Sequence, residues 1–170
     1  MAVSVSVQNA VLAKLTYGAT NASRKEFAKL GLDKWLDDQL NPNKAENRFT
    51  KGILGQFRAL NLSQVEIQKT LPYSINSSRV SDELAHTTLY RRFASSRQLY
   101  ETLVEFLEDL VPTPLYNDQL KRLSYDRDAI RANALGTYTD LLYATAMHPE
   151  MLQFLSGYAN ERNHPNENYG

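Results

Sequence analysis

The sequence predicts an all-α fold, an irregular bundle of about seven to nine helices, some of them short. Three observations support this prediction. Apolar residues recur at intervals of three and four along most of the chain. No run of alternating polar and apolar residues predicts a strand. Gly, Pro and Asn residues interrupt the helical spacing often, which keeps the predicted helices short.

The first three predicted helices precede a turn at residues 41–43. The apolar stripe of the first helix consists of Val7, Val11, Leu12 and Leu15. Gly18 suits the left-handed conformation that follows a helix, and Thr20 or Asn21 can cap the second helix. That helix carries Phe27 and stops at Gly31. On the third helix the face expected to be buried holds Leu32, Trp35, Leu36 and Leu40, and the face expected to be solvated holds Lys34, Asp37, Asp38 and Gln39.

The middle of the chain is less regular. Residues 44–61 show helical spacing, but Gly52 and Gly55 would each cost up to about 1 kcal/mol inside a helix. Residues 71–79, which begin Leu-Pro-Tyr-Ser-Ile-Asn, predict a loop and a hinge. A further helix is expected from Ser81 to about Phe93. Its apolar side consists of Ala85, Leu89 and Phe93.

The strongest helical periodicity follows Ser95. Ser95 and Gln98 form a capping-box pattern, in which the Gln98 amide can reach back to the cap. The segment after them predicts a central core helix that Pro112 and Pro114 stop. Its apolar stripe consists of Leu99, Leu103, Phe106, Leu107 and Leu110.

Two more helix starts can be identified near the carboxyl end. Thr137 and Asp140 resemble a second capping box, and Pro149 after His148 suits the first position of a further helix. Residues 160–170 are polar and rich in Asn. We therefore expect one helical domain over residues 1–159 and a loosely held tail over residues 160–170.

Charge and composition exclude several classes of protein. Lys and Arg together number 19, as do Asp and Glu, so the formal net charge is zero. This balance argues against binding to nucleic acid or to an anionic membrane. The lack of Cys excludes disulfides, thiolate metal ligands and Cys nucleophiles. The chain as written has no signal peptide and no run of apolar residues long enough to span a membrane, which predicts a cytoplasmic location.

Residues that could carry chemistry are few. None of the three His lies three or four positions from another, which excludes a helical metal pair. His148 is expected to lie against helix ends. Glu105, Glu108 and Asp109 are either a solvated helix face or an acidic cluster that could bind a hard cation. Residues 126–128, Asp-Arg-Asp, could form an ion-pair corner. The sequence predicts no catalytic residue, no metal and no cofactor.

Seven segments in order along the chain carry a family resemblance. They are Leu15–Thr20, Leu30–Leu40, Ser96–Phe106, Tyr125–Arg131, Ala134–Gly136, His148–Leu152 and Asn166–Tyr169. Together they resemble the bacterial "domain of unknown function 1800" family. The resemblance implies a mostly helical, often exported protein with no agreed activity. Because family members usually continue beyond the Asn-Glu-Asn-Tyr motif, the chain resembles an N-terminal piece of such a protein.

The chain also departs from the family pattern. After the aromatic that matches Phe106, the family usually has Trp and then an Asn-His pair, whereas residues 107–110 here read Leu-Glu-Asp-Leu. Asn133 stands where the family commonly has His. If those His residues form a site in the family, the resemblance implies that this chain does not retain it.

Two hypotheses of function follow. The first is a non-catalytic helical module, a scaffold or interaction domain for a protein partner or for the C-terminal half of a longer protein. The alternative is a fragment of a metal-dependent or hydrolytic enzyme. In that case His148, Asn166, Glu167 and the acidic cluster would form part of a pocket completed elsewhere. A third hypothesis is small-molecule binding through a Tyr-rich face, since the chain has ten Tyr residues.

Overall fold

The computed structural model describes residues 4–70, 73–114 and 118–169. Over these residues it contains ten α-helices and no β-strand, which confirms the all-α prediction. The helices are α1 (Val5–Leu15), α2 (Asn21–Leu30), α3 (Leu32–Gln39), α4 (Arg48–Leu54), α5 (Gln64–Thr70), α6 (Tyr73–Ala94), α7 (Gln98–Leu110), α8 (Gln119–Ser124), α9 (Tyr138–Ala146) and α10 (Pro149–Phe154). None of these helices is both long and apolar enough to cross a membrane.

The chain divides into two compact units. Unit 1 consists of residues 1–56 and 87–105, and unit 2 consists of residues 57–86 and 106–170. The hinge at 71–79 and the loosely held tail at 160–170 stay predictions.

The core of unit 1 joins the first three helices. Leu12 of α1, Phe27 of α2 and Trp35 of α3 are buried, and the rings of Phe27 and Trp35 lie 5.4 Å apart between centroids. Thr20 caps α2 in a capping box, since its hydroxyl accepts from the Ser23 amide at 3.1 Å. The sequence signals for these helices are local, and the structure confirms most of them.

Three positions in these helices differ from the prediction. Val7 and Leu40, which were expected in buried stripes, are exposed, and Gln39 is buried instead of solvated. The Gln39 amide donates to the Ser96 carbonyl at 3.0 Å and accepts from the Leu99 amide at 3.3 Å. Because these bonds satisfy the buried amide, a polar residue fits where the stripe predicted an apolar one.

The loop predicted after residue 70 is wrong over 73–78. Leu71 and Pro72 lie outside the described residues, and α6 begins at Tyr73 instead of Ser81. Ser and Asn cost only tenths of a kcal/mol relative to Ala in a helix, and elongation of an established helix is favourable. A 22-residue helix therefore tolerates them in its first turns. At its other end, Leu89 and Phe93 are exposed.

The stripe predicted for α7 is only partly buried. Val104 and Leu107 are buried and Leu99 and Leu103 half-buried, whereas Phe106 and Leu110 are exposed, so the prediction of core positions for the last two is wrong. The most buried face runs through positions 101, 104 and 107 at intervals of three. Positions 106 and 110 lie on the opposite side of the helix from 101 and 104, because successive residues are 100° apart.

Unit 2 contains a change of helical geometry. Helix α8, which the sequence analysis did not predict, begins after Asp118, whose carboxylate accepts from the Leu120 amide at 3.0 Å. It continues directly into a π-helical segment over Tyr125–Arg131. Tyr125 and Ile130 of this segment are buried in unit 2. Short π-helical segments are rare and often occur at functional sites.

The core of unit 1 gives a direct test of the fold. Phe27→Ala removes a buried ring and should lower the free energy of unfolding by about 3–5 kcal/mol. Phe49→Ala removes an exposed ring from the same unit and should change it by less than about 0.5 kcal/mol. Urea denaturation followed by the fluorescence of Trp35, the only tryptophan, measures both. Equal effects of the two substitutions would contradict the packing.

Candidate functional site

Unit 1 contains a cleft of about 850 Å³. Its lining comes from the connection between α1 and α2, from α2 and α3, from the start of α4, and from the end of α6 and the start of α7. Aromatic, aliphatic, amide, hydroxyl and charged side chains line it. The most informative are Tyr17, Trp35, Gln39, Asn47, Leu89, Arg92, Phe93 and Gln98.

The end of α6 is fixed by two side chains from the start of α4. The Asn47 side-chain amide and the Thr50 hydroxyl each donate to the Ala94 carbonyl at 2.7 Å. Asn47 also caps α4, because its side-chain oxygen accepts from the Thr50 amide at 2.9 Å. A residue with both an amide donor and an acceptor therefore serves two helix ends at once.

The start of α7 is bonded by residues distant in sequence. The Ser96 amide donates to the Glu46 carboxylate at 3.2 Å, and the Ser95 hydroxyl donates to the same carboxylate. Gln98 donates to the carbonyls of Arg92 and Ser95 at 3.0 and 3.1 Å. The predicted capping box is therefore wrong. Gln98 donates to the carbonyls of Arg92 and Ser95 and does not reach back to the cap amide, and the carboxylate that accepts from the Ser96 amide is that of Glu46.

These bonds determine what the cleft offers to a ligand. The side chains of Gln39, Asn47 and Gln98 are all bonded to the main chain. The apolar wall is different, because Leu89 is 61% and Phe93 is 88% exposed. They lie four residues apart and so share one face of α6. The amide side chains of the floor are therefore structural, and Leu89 and Phe93 give the cleft an exposed apolar wall.

Tyr17, Arg92 and Glu105 lie together at the edge of this cleft. The Arg92 guanidinium lies 3.0 Å from the Glu105 carboxylate and 5.6 Å from the centroid of the Tyr17 ring. The Tyr17 hydroxyl donates to the Glu101 carbonyl at 3.1 Å. Burial, with hydrogen bonding to Glu105, raises the pKa of Tyr17 far above its ordinary value, so the phenol stays protonated. Because the phenol carries no charge, the negative charge beside Arg92 is that of the Glu105 carboxylate.

The other two acidic candidates belong to unit 2. The Glu108 carboxylate lies 2.9 Å from the Arg122 guanidinium. Burial, and next the charge of Asp126, raise the pKa of Glu108, while Arg122 opposes the shift. Asp109 is exposed. Within the described parts of the chain, no group of three His, Asp or Glu side chains is arranged to hold a metal ion.

His148 lies at the junction of α9 and α10. Its Nδ1 accepts from the Glu150 amide at 3.1 Å, so it caps α10, and Pro149 is the first residue of that helix as predicted. Nε2 lies 3.3 Å from the Ser124 hydroxyl, and the ring packs edge-on against Tyr125 at 5.2 Å. Burial lowers the pKa of His148, which favours the neutral acceptor form.

The carboxyl-terminal candidates make local contacts. The Asn166 side-chain amide donates to the Leu155 carbonyl at 2.7 Å, and its oxygen accepts from the Asn168 amide at 3.0 Å. Glu167 is exposed. These bonds connect Asn166 to the turn after α10 and to its own neighbour Asn168.

The π-helical segment changes the ion pairs that were predicted among residues 126–128. Arg127 pairs with Asp128 at 2.6 Å as expected, but Asp126 pairs with Arg131, whose Nε lies 3.0 Å from both carboxylate oxygens. Residues five apart align in a π-helix. The buried Asp126 therefore meets Arg131 instead of its neighbour in sequence.

Sequence comparison identifies the chain at the level of a family. The family described as "Protein of unknown function (DUF1800)" matches residues 10–170, which is most of the chain. No curated protein and no solved structure matches it significantly.

The His148 cap predicts a pH dependence of stability. Because the folded protein has the lower pKa, the cap stabilises the fold above the ordinary His pKa of about 6.5, and this contribution is lost as the pH falls through the folded pKa. His148→Asn keeps a cap that does not titrate. Between about pH 7 and pH 5, the wild type should lose more unfolding free energy than this variant.

Urea denaturation across that range measures the difference. His164→Asn, at an exposed position, is the matched control and should follow the wild-type profile. Parallel profiles for the wild type and His148→Asn would rule out the cap as the titrating element.

Proposed function

The chain belongs to the DUF1800 family of unknown function, and on that premise we propose that it is a non-catalytic interaction module whose unit 1 cleft docks a protein partner. One observation carries the proposal. Leu89 and Phe93 form an exposed apolar wall above a floor whose polar side chains are bonded to the main chain.

The exposure of this wall favours a large partner over a small molecule. A small-molecule site usually buries most of the surface of its ligand, about 70–90%. Two wall residues that are themselves 61% and 88% exposed cannot enclose a ligand to that extent. The extended surface of another protein can cover both the wall and the cleft.

Few charged residues line the cleft. Arg92, the cation that lines it, is paired with Glu105 at 3.0 Å, and Glu26 lines it as an exposed carboxylate. Burial of a large apolar side chain contributes about 1.5–3 kcal/mol, which exceeds the value of an exposed ion pair. We therefore assign the partner as a helical segment that presents aliphatic side chains at intervals of three and four.

The neutralised cation and the bonded floor also support a role other than catalysis. A general acid or base needs a titratable group that can reach a substrate with a proton. Among the residues that line this cleft, Tyr17 stays protonated, Arg92 is paired with Glu105, and Glu26 is an exposed carboxylate. What the cleft supplies is shape and apolar area, which suit recognition.

A model peptide tests this function. An amphipathic synthetic helix with Leu at intervals of three and four should bind the full chain, and the same peptide with Ser in place of Leu should not. Phe93→Ser should weaken binding at least tenfold, because the wall loses its most exposed ring. Calorimetric titration measures the dissociation constants.

Phe49→Ser is the matched control, since it changes an exposed ring of unit 1 that does not line the cleft. It should leave the affinity unchanged. Failure of the wild type to bind the Leu peptide, or equal losses in the two variants, would refute the docking site.

A further inference from the structure

We infer that Glu26 selects the charge of the partner, so that the docked helix carries Lys or Arg beside its aliphatic stripe. This inference rests on the proposed function, since it concerns the same cleft in unit 1. Glu26 lines that cleft from α2, and its side chain is exposed. Its carboxylate is therefore open to a group that enters the cleft.

The shape of α2 leaves this carboxylate uncovered. The residues that α2 contributes to the cleft lining are Ala22, Ser23 and Glu26. At 100° per residue they lie within an arc of about 100°, on one side of the helix. Helical side chains lean towards the amino end of their helix, so Glu26 extends over Ala22 and Ser23. Because both of these side chains are short, they do not cover the carboxylate.

The carboxylate of Glu26 also has no counter-ion. Among the described residues, Glu26 forms no hydrogen bond and no ion pair. The cation that lines the cleft, Arg92, is paired with Glu105 at 3.0 Å. The Ser23 hydroxyl accepts from the Thr20 amide at 2.9 Å and so serves the start of α2. In the lining that the described residues form, the charge left uncompensated is therefore negative.

The basic residues of α2 lie away from this charge. Arg24 and Lys25 lie about 160° and 100° from Glu26 around the helix. Lys29 is nearer, at about 60°, but it lies three residues further along the helix and does not pair with Glu26. None of these three cations lines the cleft. A helix that enters the cleft therefore meets the Glu26 carboxylate without a cation of α2 in between.

Apolar area and charge have different roles in this cleft. Leu89 and Phe93 offer the exposed apolar area on which affinity depends. A charge at the edge of an interface contributes more to the choice of partner and to the association rate than to affinity. Acidic residues beside the aliphatic stripe would bring like charges together at Glu26, whereas basic residues would bring opposite charges together. Arg suits this position best, because its guanidinium can donate two parallel hydrogen bonds to a carboxylate.

Three synthetic helices test the inference with the full chain. All three carry the same Leu stripe, and the positions beside the stripe are all Arg in the first, all Gln in the second and all Glu in the third. The affinity should fall in that order, by about two- to fivefold from Arg to Gln, which is the range of an exposed ion pair. Fluorescence anisotropy of the labelled peptides measures the dissociation constants. The preference should shrink at about 1 M salt, where the Debye length is only about 3 Å.

Two substitutions at position 26 attribute the preference to this carboxylate. Glu26→Gln keeps the size and the helix propensity of the side chain, so the variant should bind the Arg and Gln peptides equally. Glu26→Lys should reverse the order and bind the Glu peptide best. Circular dichroism verifies that both variants are folded.

Asp37→Asn is the matched control, because it removes the same charge from an exposed carboxylate of unit 1 that does not line the cleft. It should keep the wild-type order of affinities. Equal affinities of the wild type for the three peptides, tightest binding of the Glu peptide, or a preference that survives Glu26→Gln would overturn this inference and leave the docking site in place. Failure of all three peptides to bind would refute the docking site itself, and this inference with it.

Discussion

The fold of unit 1 depends on satisfying the helix ends where α6 gives way to α7. A buried backbone group without a partner costs about 1–3 kcal/mol, and several backbone groups at this junction are partly buried. Glu46 binds the Ser96 amide, Gln39 binds the Leu99 amide, and Asn47 binds the Ala94 carbonyl. Three side chains from one stretch of chain therefore hold the junction. Because the end of α6 carries Leu89 and Phe93, the same bonds position the wall of the cleft.

In the cleft, the polar side chains of the floor bond to the backbone, whereas the side chains of Leu89 and Phe93 are apolar and exposed. A similar division holds for His148, which resembles a family motif residue but acts as a helix cap through Nδ1. Asn133, where the family commonly has His, donates to the Ala129 carbonyl at 2.8 Å. Both side chains thus bond to the backbone of a helix.

Local signals in the sequence predicted the fold class and several helix ends. Thr20, Thr137 and Pro149 act within a few residues of themselves, so their roles could be predicted from sequence alone. Gln39 was misassigned because its partners lie 57 and 60 residues away. Asp126 was misassigned because the π-helical segment changes which residues align. Asn47 directly before a helix is a recognisable cap signal, whereas Glu46 carries no local signal that marks its role.

Hydrogen exchange at the junction tests the central claim most directly. In the wild type the amides of Ser96 and Leu99 should exchange slowly, because Glu46 and Gln39 accept from them. Glu46→Ala should accelerate exchange at Ser96 at least tenfold with a smaller effect at Leu99, and Gln39→Ala should do the reverse. Wild-type amides that exchange as fast as an unstructured peptide, or rates that neither variant changes, would contradict the account.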